Sequence, residues 1–203
     1  MIQGIDTSVS TLDALSCLRD AGLAFVVRYY ADHGAKRLTL AEARAISKGM
    51  DVVVVWESGS PTKPGYFSHA VGVADGRAAF LYGRDTIGQP TGTPIYFAVD
   101  YDAGPKATMG VITDYFRGVG EAFAELAGGG TDYEVGVYGS GLVCSTLHDA
   151  GLARFTWLAQ SSGWAGSKTY DGWNMRQHLQ KTVCGITVDP DDARPGYGGF
   201  RVS

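Results

Sequence analysis

The sequence predicts an α/β fold: a TIM-type (β/α)8 barrel of reduced size, with few helices in its C-terminal part. Short apolar segments alternate with helical patterns along most of the chain, an order typical of parallel strands joined by helices. Beyond about Trp157, helical patterns become rare. With 203 residues, the chain is long for one domain and short for two. We therefore expect one domain over residues 1–203, at the small end for this barrel.

Eight segments have the length and the apolar interior of strands. They are Ile2–Asp6, Ala24–Tyr30, Val52–Glu57, Ile95–Asp100, Glu134–Tyr138, Thr156–Gln160, Gln177–Gln180 and Ile186–Asp189. The alternative arrangement is an open, doubly wound sheet, which would need a glycine-rich phosphate-binding turn after an early strand to hold a nucleotide. Asp6-Thr7-Ser8-Val9 follows the first strand instead, so the barrel is favoured.

Capping patterns indicate where the helices begin and end. Thr39 and Glu42 form a capping box, in which each side chain can bind the other's free backbone N–H, and Gly49 ends that helix. Pro105 suits a first helical position because its missing N–H costs nothing there, and Gly128–Gly130 end the long helix that follows. The Ser10–Asp13 pattern predicts the start of the first helix. The Gly-, Ser- and Trp-containing segment Ser161–Asn174 predicts a long loop.

Composition excludes several classes of function. The net charge is −4, from 17 basic and 21 acidic residues without a basic cluster, so we expect no nucleic-acid partner. There is no apolar run long enough to span a membrane, and the first residues lack the pattern of a signal peptide. Cys17, Cys144 and Cys184 fit no metal motif; we expect three buried thiols, with at least one unpaired. No cofactor or metal is expected.

The candidate functional residues are the last residues of the eight strands. Every one is polar or amphipathic: Asp6, Tyr30, Glu57, Asp100, Tyr138, Gln160, Gln180 and Asp189. In a barrel of this type, the carboxyl ends of the strands carry the active site. A single Asp at such a position is as well explained by helix capping. Several carboxylates gathered at one rim repel one another, and this cost indicates a functional site.

Alternation along the strands indicates which side chains point into the barrel. In Ile95–Asp100, the residues Tyr96, Ala98 and Asp100 share the inward face, and Asp102 continues it if the strand extends. Asp6 and Asp189 take the inward face of the first and last strands by the same argument. The segment from Asp189 to Asp192 then reads as a strand end followed by a turn.

Paired carboxylates at a rim that is also rich in aromatic residues suit glycoside hydrolysis. One carboxyl group keeps its proton and donates it to the leaving oxygen, while the other stays charged. Other hydrolytic chemistry is less well supported: Tyr138-Gly139-Ser140-Gly141 lacks the Gly-x-Ser-x-Gly elbow, and the four histidines are scattered. Nucleotide- and metal-binding motifs are absent from the sequence.

Five short motifs resemble, in the same order, the glycoside-hydrolase-like barrel domain of bacterial and phage proteins related to the family 25 muramidases, the Chalaropsis-type lysozymes. They are Gly4–Asp6, Tyr96–Asp102, Gly136–Tyr138, Trp157–Gln160 and Val188–Asp189, and together they span nearly the whole chain. The resemblance implies cleavage of the β-1,4 bond after N-acetylmuramic acid in peptidoglycan. The family's central motif is Asp-x-Glu, whereas this chain has Asp100-Tyr101-Asp102.

Carried over by position, the resemblance makes Asp102 the proton donor and Asp100 the stabilising carboxylate, with Asp6 as a further member of the catalytic group. Substrate-binding residues are then expected at Tyr30, Glu57, Tyr138, Gln160 and Asp189. Asp is one methylene shorter than Glu, and a shift of about 1 Å can cost on the order of a hundredfold in rate. Either the backbone compensates for the shorter side chain, or Glu57 supplies the acid, or the barrel binds glycan and cleaves it poorly.

Two hypotheses follow. The favoured one is a monomeric peptidoglycan hydrolase of the lysozyme or endolysin type that acts outside the cell or in the cell wall. The alternative is a catalytically weak or inactive glycan-binding barrel of a cell-wall-associated protein.

Overall fold

The computed structural model describes residues 1–32, 34–104, 106–128 and 132–203, with the backbone alone described for residues 106–108. Eight strands close into a barrel, which confirms the predicted fold class. In order around the barrel they are β1 (Ile2–Asp6), β2 (Phe25–Tyr30), β3 (Asp51–Trp56), β4 (Pro94–Ala98), β5 (Glu134–Gly139), β6 (Phe155–Leu158), β7 (Met175–Gln177) and β9 (Ile186–Ala193). A further strand, β8 (Lys181–Val183), lies between β7 and β9 in the sequence and is not one of the eight.

The barrel closes through an antiparallel strand. Strands β1 to β7 pair in parallel with their neighbours, whereas β9 runs antiparallel to both β7 and β1. Strand β8 pairs with β9 in a hairpin outside the barrel. Strand β8 was not predicted from the sequence. The interpretation of Asp189–Asp192 as a strand end and a turn was wrong, because β9 continues to Ala193.

Helices cover the first part of the barrel. They are α1 (Leu15–Asp20), α2 (Leu40–Ser47), α3 (His69–Leu81), α4 (Lys106–Leu126) and α5 (Gly141–Asp149), and a π-helical segment Tyr82–Ile87 continues α3. Residues 150–203, all of which the structure describes, contain no helix. Few helices were predicted there, and the long loop predicted over Ser161–Asn174 is present.

The helix boundaries match the predictions in part. The hydroxyl of Thr39 accepts the N–H of Glu42 at 3.2 Å, but the Glu42 side chain binds Thr11 and Arg28 instead of returning to Thr39. The hydrogen bond from the N–H of Thr11 to Glu42 also holds the Ser10–Asp13 segment outside the helix. Helix α1 therefore begins at Leu15, and the start predicted at Ser10–Asp13 was wrong. Pro105, Gly129 and Gly130 lie outside the described residues.

Strand alternation divides the core as predicted. Ile95, Phe97 and Val99 pack on the helix side of β4, while Tyr96 and Ala98 lie inside the barrel. At the amino end of the barrel, glycines leave room for aromatic rings: a Cβ on Gly4 would lie 2.5 Å from the ring of Phe25, and one on Gly136 would lie 2.7 Å from the ring of Tyr96. These rings fill the amino end of the barrel. Open space remains at the opposite end, where the carboxyl ends of the strands meet.

The cysteines differ from the prediction of three thiols. Cys17 on α1 and Cys184 between β8 and β9 form a disulfide, and Cys144 is buried and free. Because the two bonded residues are 167 positions apart, spacing alone did not indicate the pair. The bond ties α1 to the hairpin beside the closing strand.

Candidate functional site

A cleft of about 250 Å³ lies at the carboxyl ends of the barrel strands. Among the described residues that line it, three are acidic and none is basic. We call this space the cleft; it is lined by Tyr29, Val55, Glu57, Ala98, Asp100, Tyr138, Trp157, Gln160, Gln177 and Asp189. Five of the residues predicted from strand ends are therefore brought together here: Glu57, Asp100, Tyr138, Gln160 and Asp189.

Asp6 lies beneath the cleft and not on its wall. The residue is 1% exposed, and its two carboxylate oxygens accept hydrogen bonds from the hydroxyl of Tyr29 at 3.0 Å and from Nε2 of Gln177 at 2.7 Å. Burial, with the nearby charges of Asp189 and Glu57, raises the pKa of Asp6 to about 7, although both hydrogen bonds oppose the shift. Tyr29 and Gln177 thus connect Asp6 to the cleft.

Asp100 is half-buried on the cleft wall, two residues beyond the end of β4. Its backbone N–H donates to the carbonyl of Pro61 at 2.9 Å, which holds the residue in place after the strand has ended. Burial raises the pKa of Asp100 above its usual value, and the charge of Glu57 adds to this shift. Glu57 has its own counter-ion, because Lys36 Nζ lies 2.9 Å from its Oε1.

Strand β9 adds two further acids. Asp189 pairs directly with Asp6 across the antiparallel β1–β9 ladder, and Asp191 pairs with Gly4. Directly opposed residues have Cβ atoms about 4.5–5.5 Å apart, so Asp6 and Asp189 are close neighbours on the inner face. Burial raises the pKa of Asp189. Oδ1 of Asp189 is buried without a hydrogen-bond partner in the part of the chain that the structure describes.

Asp191 is fully buried inside the barrel. Its Oδ1 accepts the indole N–H of Trp157 at 2.8 Å, and its Oδ2 is buried without a partner among the described residues. Burial raises the pKa of Asp191 well above its usual value, and the charges of Asp6 and Asp189 act in the same direction. Burial thus disfavours the charged form of this carboxyl group.

A hydrogen-bonded chain of uncharged groups forms the floor of the cleft. Tyr138 donates its hydroxyl proton to Oε1 of Gln177 at 2.8 Å, and the backbone N–H of Gln160 reaches the same oxygen at 3.4 Å. The rings of Tyr138 and Trp157 meet edge to face with centroids 4.7 Å apart. These bonds orient the side-chain amide of Gln177, with its oxygen toward Tyr138 and its nitrogen toward Asp6.

Two predicted site residues lie elsewhere. Asp102 was placed on the inward face of an extended strand, but β4 ends at Ala98 and Asp102 is exposed, with Oδ1 accepting the N–H of Ala165 at 2.8 Å. Tyr30 was predicted to bind substrate, but it is fully buried on the helix side, where its hydroxyl donates to Gln89. The inward residue of β2 is its neighbour Tyr29.

Four residues of the site were missed: Tyr29, Trp157, Gln177 and Asp191. Tyr29 and Tyr30 are the same residue type, so composition did not separate them. Gln177 was taken as the start of a strand, whereas it is the last residue of β7, and Gln180 is exposed outside the cleft. Asp191 could have been found by extending the alternation of Asp189 by two residues.

The described residues contain no group of three or more His, Cys, Asp or Glu side chains arranged to hold a metal ion. Among them there is also no helix long and apolar enough to cross a membrane. Tyr29 and Gln177 donate hydrogen bonds to Asp6, and Trp157 donates one to Asp191.

Comparison with known proteins identifies the family. A family model described as "Rv2525c-like, glycoside hydrolase-like domain" matches residues 16–194. The chain belongs to this family. Two uncharacterized proteins of Bacillus subtilis (strain 168), YbfG and FadG, are 31% and 30% identical to it over 164 and 167 residues. These matches cover 76% and 79% of this chain but 22% and 28% of the relatives, so the chain spans about a quarter of their length.

Solved structures share the barrel. The Tat-secreted protein Rv2525c of Mycobacterium tuberculosis, in complex with L-tartrate, superposes with a TM-score of 0.77 and 22% identity over 97% of this chain and 98% of that one. The modular autolysin LytC from Streptococcus pneumoniae, in complex with a synthetic peptidoglycan ligand, superposes with a TM-score of 0.58 and 12% identity over 93% of this chain and 46% of that one. The catalytic domain of endolysin ply40 from a Listeria monocytogenes bacteriophage superposes with a TM-score of 0.59 and 17% identity over 97% of this chain and 95% of that one. At these identities, the likeness shows the fold.

Proposed function

We propose that this chain is a glycoside hydrolase that acts on bacterial cell-wall glycan, with Asp100 as the proton donor. The observation that carries the proposal is the meeting of three acids from different strands, Glu57, Asp100 and Asp189, in one cleft whose described lining residues include no basic one. Such a set of like charges is costly to assemble and is typical of sites that use carboxyl groups as acid and base.

The environments of Glu57 and Asp100 suit them to different roles. Burial and the charge of Glu57 raise the pKa of Asp100, which is the direction that a general acid requires. Glu57, paired with Lys36, supplies the negative charge that stabilises the developing cation. Asp6 is a positioning residue in this scheme, because it holds Tyr29 and Gln177 and does not line the cleft.

Cell-wall glycan is proposed as the substrate class from two supports. The cleft offers carboxylates, amides and the aromatic residues Tyr29, Tyr138 and Trp157 to a neutral, hydroxyl-rich ligand. The barrels of similar fold include an autolysin that was solved with a peptidoglycan ligand and the catalytic domain of an endolysin. The bond after N-acetylmuramic acid, implied by the resemblance to the muramidases, is the proposed point of cleavage.

The test compares two aspartates that are two positions apart. Purified bacterial walls are incubated with wild type, Asp100→Asn and Asp102→Asn, and newly formed reducing ends are measured. Loss of a general acid should lower the rate about 10²- to 10⁴-fold in Asp100→Asn, whereas Asp102→Asn should stay close to wild type. Reduction of the products with borohydride before hydrolysis identifies which sugar carries the new reducing end. Equal rates for wild type and Asp100→Asn would remove Asp100 from the acid role.

One observation favours a second candidate, a glycan binder without turnover. Asp102, to which the resemblance assigns the role of proton donor, is exposed, and its carboxylate accepts the N–H of Ala165. Sedimentation of the wild-type protein with insoluble walls, combined with no release of reducing ends, would support this candidate and exclude the hydrolase.

Action outside the cell is also proposed. The Cys17–Cys184 disulfide favours an oxidising compartment, and the similar barrel Rv2525c is a Tat-secreted protein. Thiol titration of the denatured protein, taken directly from its producing cells and their medium, should find one reactive thiol of three in the extracellular fraction. Three reactive thiols there would contradict the proposed compartment.

A further inference from the structure

A partly buried carboxylate outside the cleft binds two tyrosines from different elements. Asp75 lies on α3, and its Oδ2 accepts the hydroxyl protons of Tyr66 at 2.5 Å and of Tyr115 at 2.7 Å. Tyr66 belongs to the loop between β3 and α3, whereas Tyr115 belongs to α4. Asp75 is not among the residues that line the cleft, so the proposed reaction gives this acid no direct role.

The loop between β3 and α3 carries two parts of the cleft. It starts with Glu57, which directly follows β3 and lines the cleft. Further along the loop, the carbonyl of Pro61 accepts the backbone N–H of Asp100 at 2.9 Å. A displacement of this loop would therefore move Glu57 and remove the support of Asp100, and these are the two acids of the proposed reaction.

Specific contacts tie this loop near its two ends. Near its start, the hydroxyl of Ser58 donates to Oδ2 of Asp32 at 2.6 Å. Near its end, Pro64–Tyr66 form a short 3₁₀ turn, after which Phe67 is buried. Residues 62–65, between these points, are exposed. An exposed segment has few packing contacts of its own, so its position depends on the contacts at its ends.

Tyr66 supports the loop from within. A Cβ on Gly59 would lie 2.8 Å from Cε2 of Tyr66, so the tyrosine ring packs directly against the backbone of Gly59. This glycine has a φ of +68°, a left-handed conformation that glycine adopts without strain. Gly59 lies between Glu57 and Pro61 in the sequence. The ring of Tyr66 thus contacts the loop between its two functional parts, and its hydroxyl fixes the ring to Asp75 on α3.

We propose that Tyr66, anchored by Asp75, is a positioning residue for the acids Glu57 and Asp100. The inference rests on the proposed function and adds to it a support that acts through the loop between β3 and α3. Tyr66 is not among the residues that line the cleft, so it is not a catalytic residue. Its hydroxyl holds the ring in place, and the ring holds the loop.

The test removes the two hydroxyls bound to Asp75 one at a time. Tyr66→Phe keeps the ring and loses the anchor, Tyr66→Leu loses both, and Tyr115→Phe is the matched control because it removes the other hydroxyl from the same oxygen. Hydrogen exchange of the Asp100 amide is measured by NMR under native conditions, where it reports local opening. Exchange should be about tenfold faster in Tyr66→Phe, as expected for loss of a hydrogen bond to a charged group. It should be faster still in Tyr66→Leu and unchanged in Tyr115→Phe.

Steady-state hydrolysis of soluble glycan strands gives the second readout. The kcat should fall about tenfold in Tyr66→Phe and about a hundredfold in Tyr66→Leu, because a misplacement of about 1 Å can cost that much. The KM should change little, because Tyr66 is not among the residues that line the cleft. Tyr115→Phe should keep the wild-type kcat although it also loses a hydrogen bond to Asp75, so a loss of stability alone would not imitate this result.

The outcomes separate this inference from the proposed function. If the Asp100 amide exchanges equally fast in wild type and both Tyr66 variants, or if Tyr115→Phe accelerates its exchange as much as Tyr66→Phe, Tyr66 is not a positioning residue, whatever the activity of wild type. Faster exchange without a lower kcat would overturn the inference as well. If wild type releases no reducing ends, the proposed function is wrong, and the exchange rates alone decide whether Tyr66 fixes Asp100.

Discussion

Two buried groups of charged residues lie on opposite faces of β2, one position apart along the strand. Arg28 points to the helix side and pairs with Glu42 of α2, with Nε to Oε1 at 3.0 Å and side chains 0% and 2% exposed. Tyr29 points inside the barrel and donates its hydroxyl proton to Asp6. The first group contains a cation and an anion. The second, within the part of the chain that the structure describes, contains the buried Asp6 and Asp191 and the half-buried Asp189 and no cation.

The two groups differ in how their polar atoms are satisfied. Oε1 of Glu42 also accepts the N–H and the hydroxyl of Thr11 at 2.8 and 2.9 Å, and Nη1 of Arg28 donates to the carbonyl of Thr7. In the interior group, Oδ1 of Asp189 and Oδ2 of Asp191 are buried without partners among the described residues. A closed ion pair with satisfied polar atoms links α2 to the loop after β1, whereas the interior acids keep unused hydrogen-bonding capacity.

The largest effect is expected from breaking the closed pair. Glu42→Gln leaves the buried guanidinium of Arg28 without a counter-charge, which should lower the free energy of unfolding by about 3–5 kcal/mol in urea denaturation. The control is Glu125→Gln, which removes the partner of Arg77 in an exposed pair, with side chains 43% and 58% exposed. That change should cost less than about 1 kcal/mol. Similar costs for both variants would show that Arg28 and Glu42 are not a structural unit.

The interior group should make stability depend on pH. The folded protein retains the proton of Asp6 up to about pH 7, whereas the unfolded chain releases it near pH 3.8. Between these values the folded state binds more protons, so the free energy of unfolding should decrease as pH rises from 4 to 7. The contribution of Asp6 is at most on the order of 4 kcal/mol, because each pKa unit corresponds to about 1.4 kcal/mol.

Asp6→Asn tests the origin of this slope. Asn mimics the protonated acid: its oxygen can accept the amide N–H of Gln177 and its nitrogen can donate to the hydroxyl oxygen of Tyr29. Urea denaturation at several pH values between 4 and 7 should therefore show a shallower decrease for Asp6→Asn than for wild type. An unchanged slope would assign the pH dependence to other acids, such as Asp191.

Strand ends and alternation were sufficient to predict much of the cleft. The structure puts Asp100 and Asp189 on the wall of the cleft, as expected from the clear alternation of apolar and polar residues in Ile95–Asp100 and Ile186–Asp189. Glu57, Tyr138 and Gln160 needed only the position of a strand end. The same rule put Asp6 at the correct rim, but strand phase does not tell whether a carboxylate lies on a wall or beneath it.

The remaining residues depended on contacts that are distant in sequence. Phe25–Tyr30 is buried on both faces, apart from the partly exposed Tyr29, so alternation could not tell Tyr29 from Tyr30. Asp102 left the cleft because β4 ends early and the N–H of Ala165, 63 positions away, binds its carboxylate. The antiparallel path of β9, which brings Asp191 inside, is set by pairing with β1 at the other end of the chain.

The smallest effect is expected from removing the hydroxyl group of one of the two neighbouring tyrosines, Tyr29 or Tyr30. Tyr29→Phe and Tyr30→Phe each remove one hydroxyl that donates a hydrogen bond, to Asp6 at 3.0 Å and to Gln89 at 2.9 Å, and each should cost about 1 kcal/mol of stability. Their effects on Asp6 should differ. The hydrogen bond from Tyr29 lowers the pKa of Asp6, so its loss in Tyr29→Phe should raise that pKa further.

In Tyr30→Phe, the pKa of Asp6 should stay unchanged, because Tyr30 lies on the helix side of β2. A ¹³C titration of the Asp6 carboxyl group in the three proteins measures this difference directly. An equal shift in both variants would mean that the two faces of β2 are electrostatically connected, and the closed pair and the interior acids would then have to be treated as one system. A shift in Tyr29→Phe alone would establish that β2 separates them, with one face committed to stability and the other to the cleft.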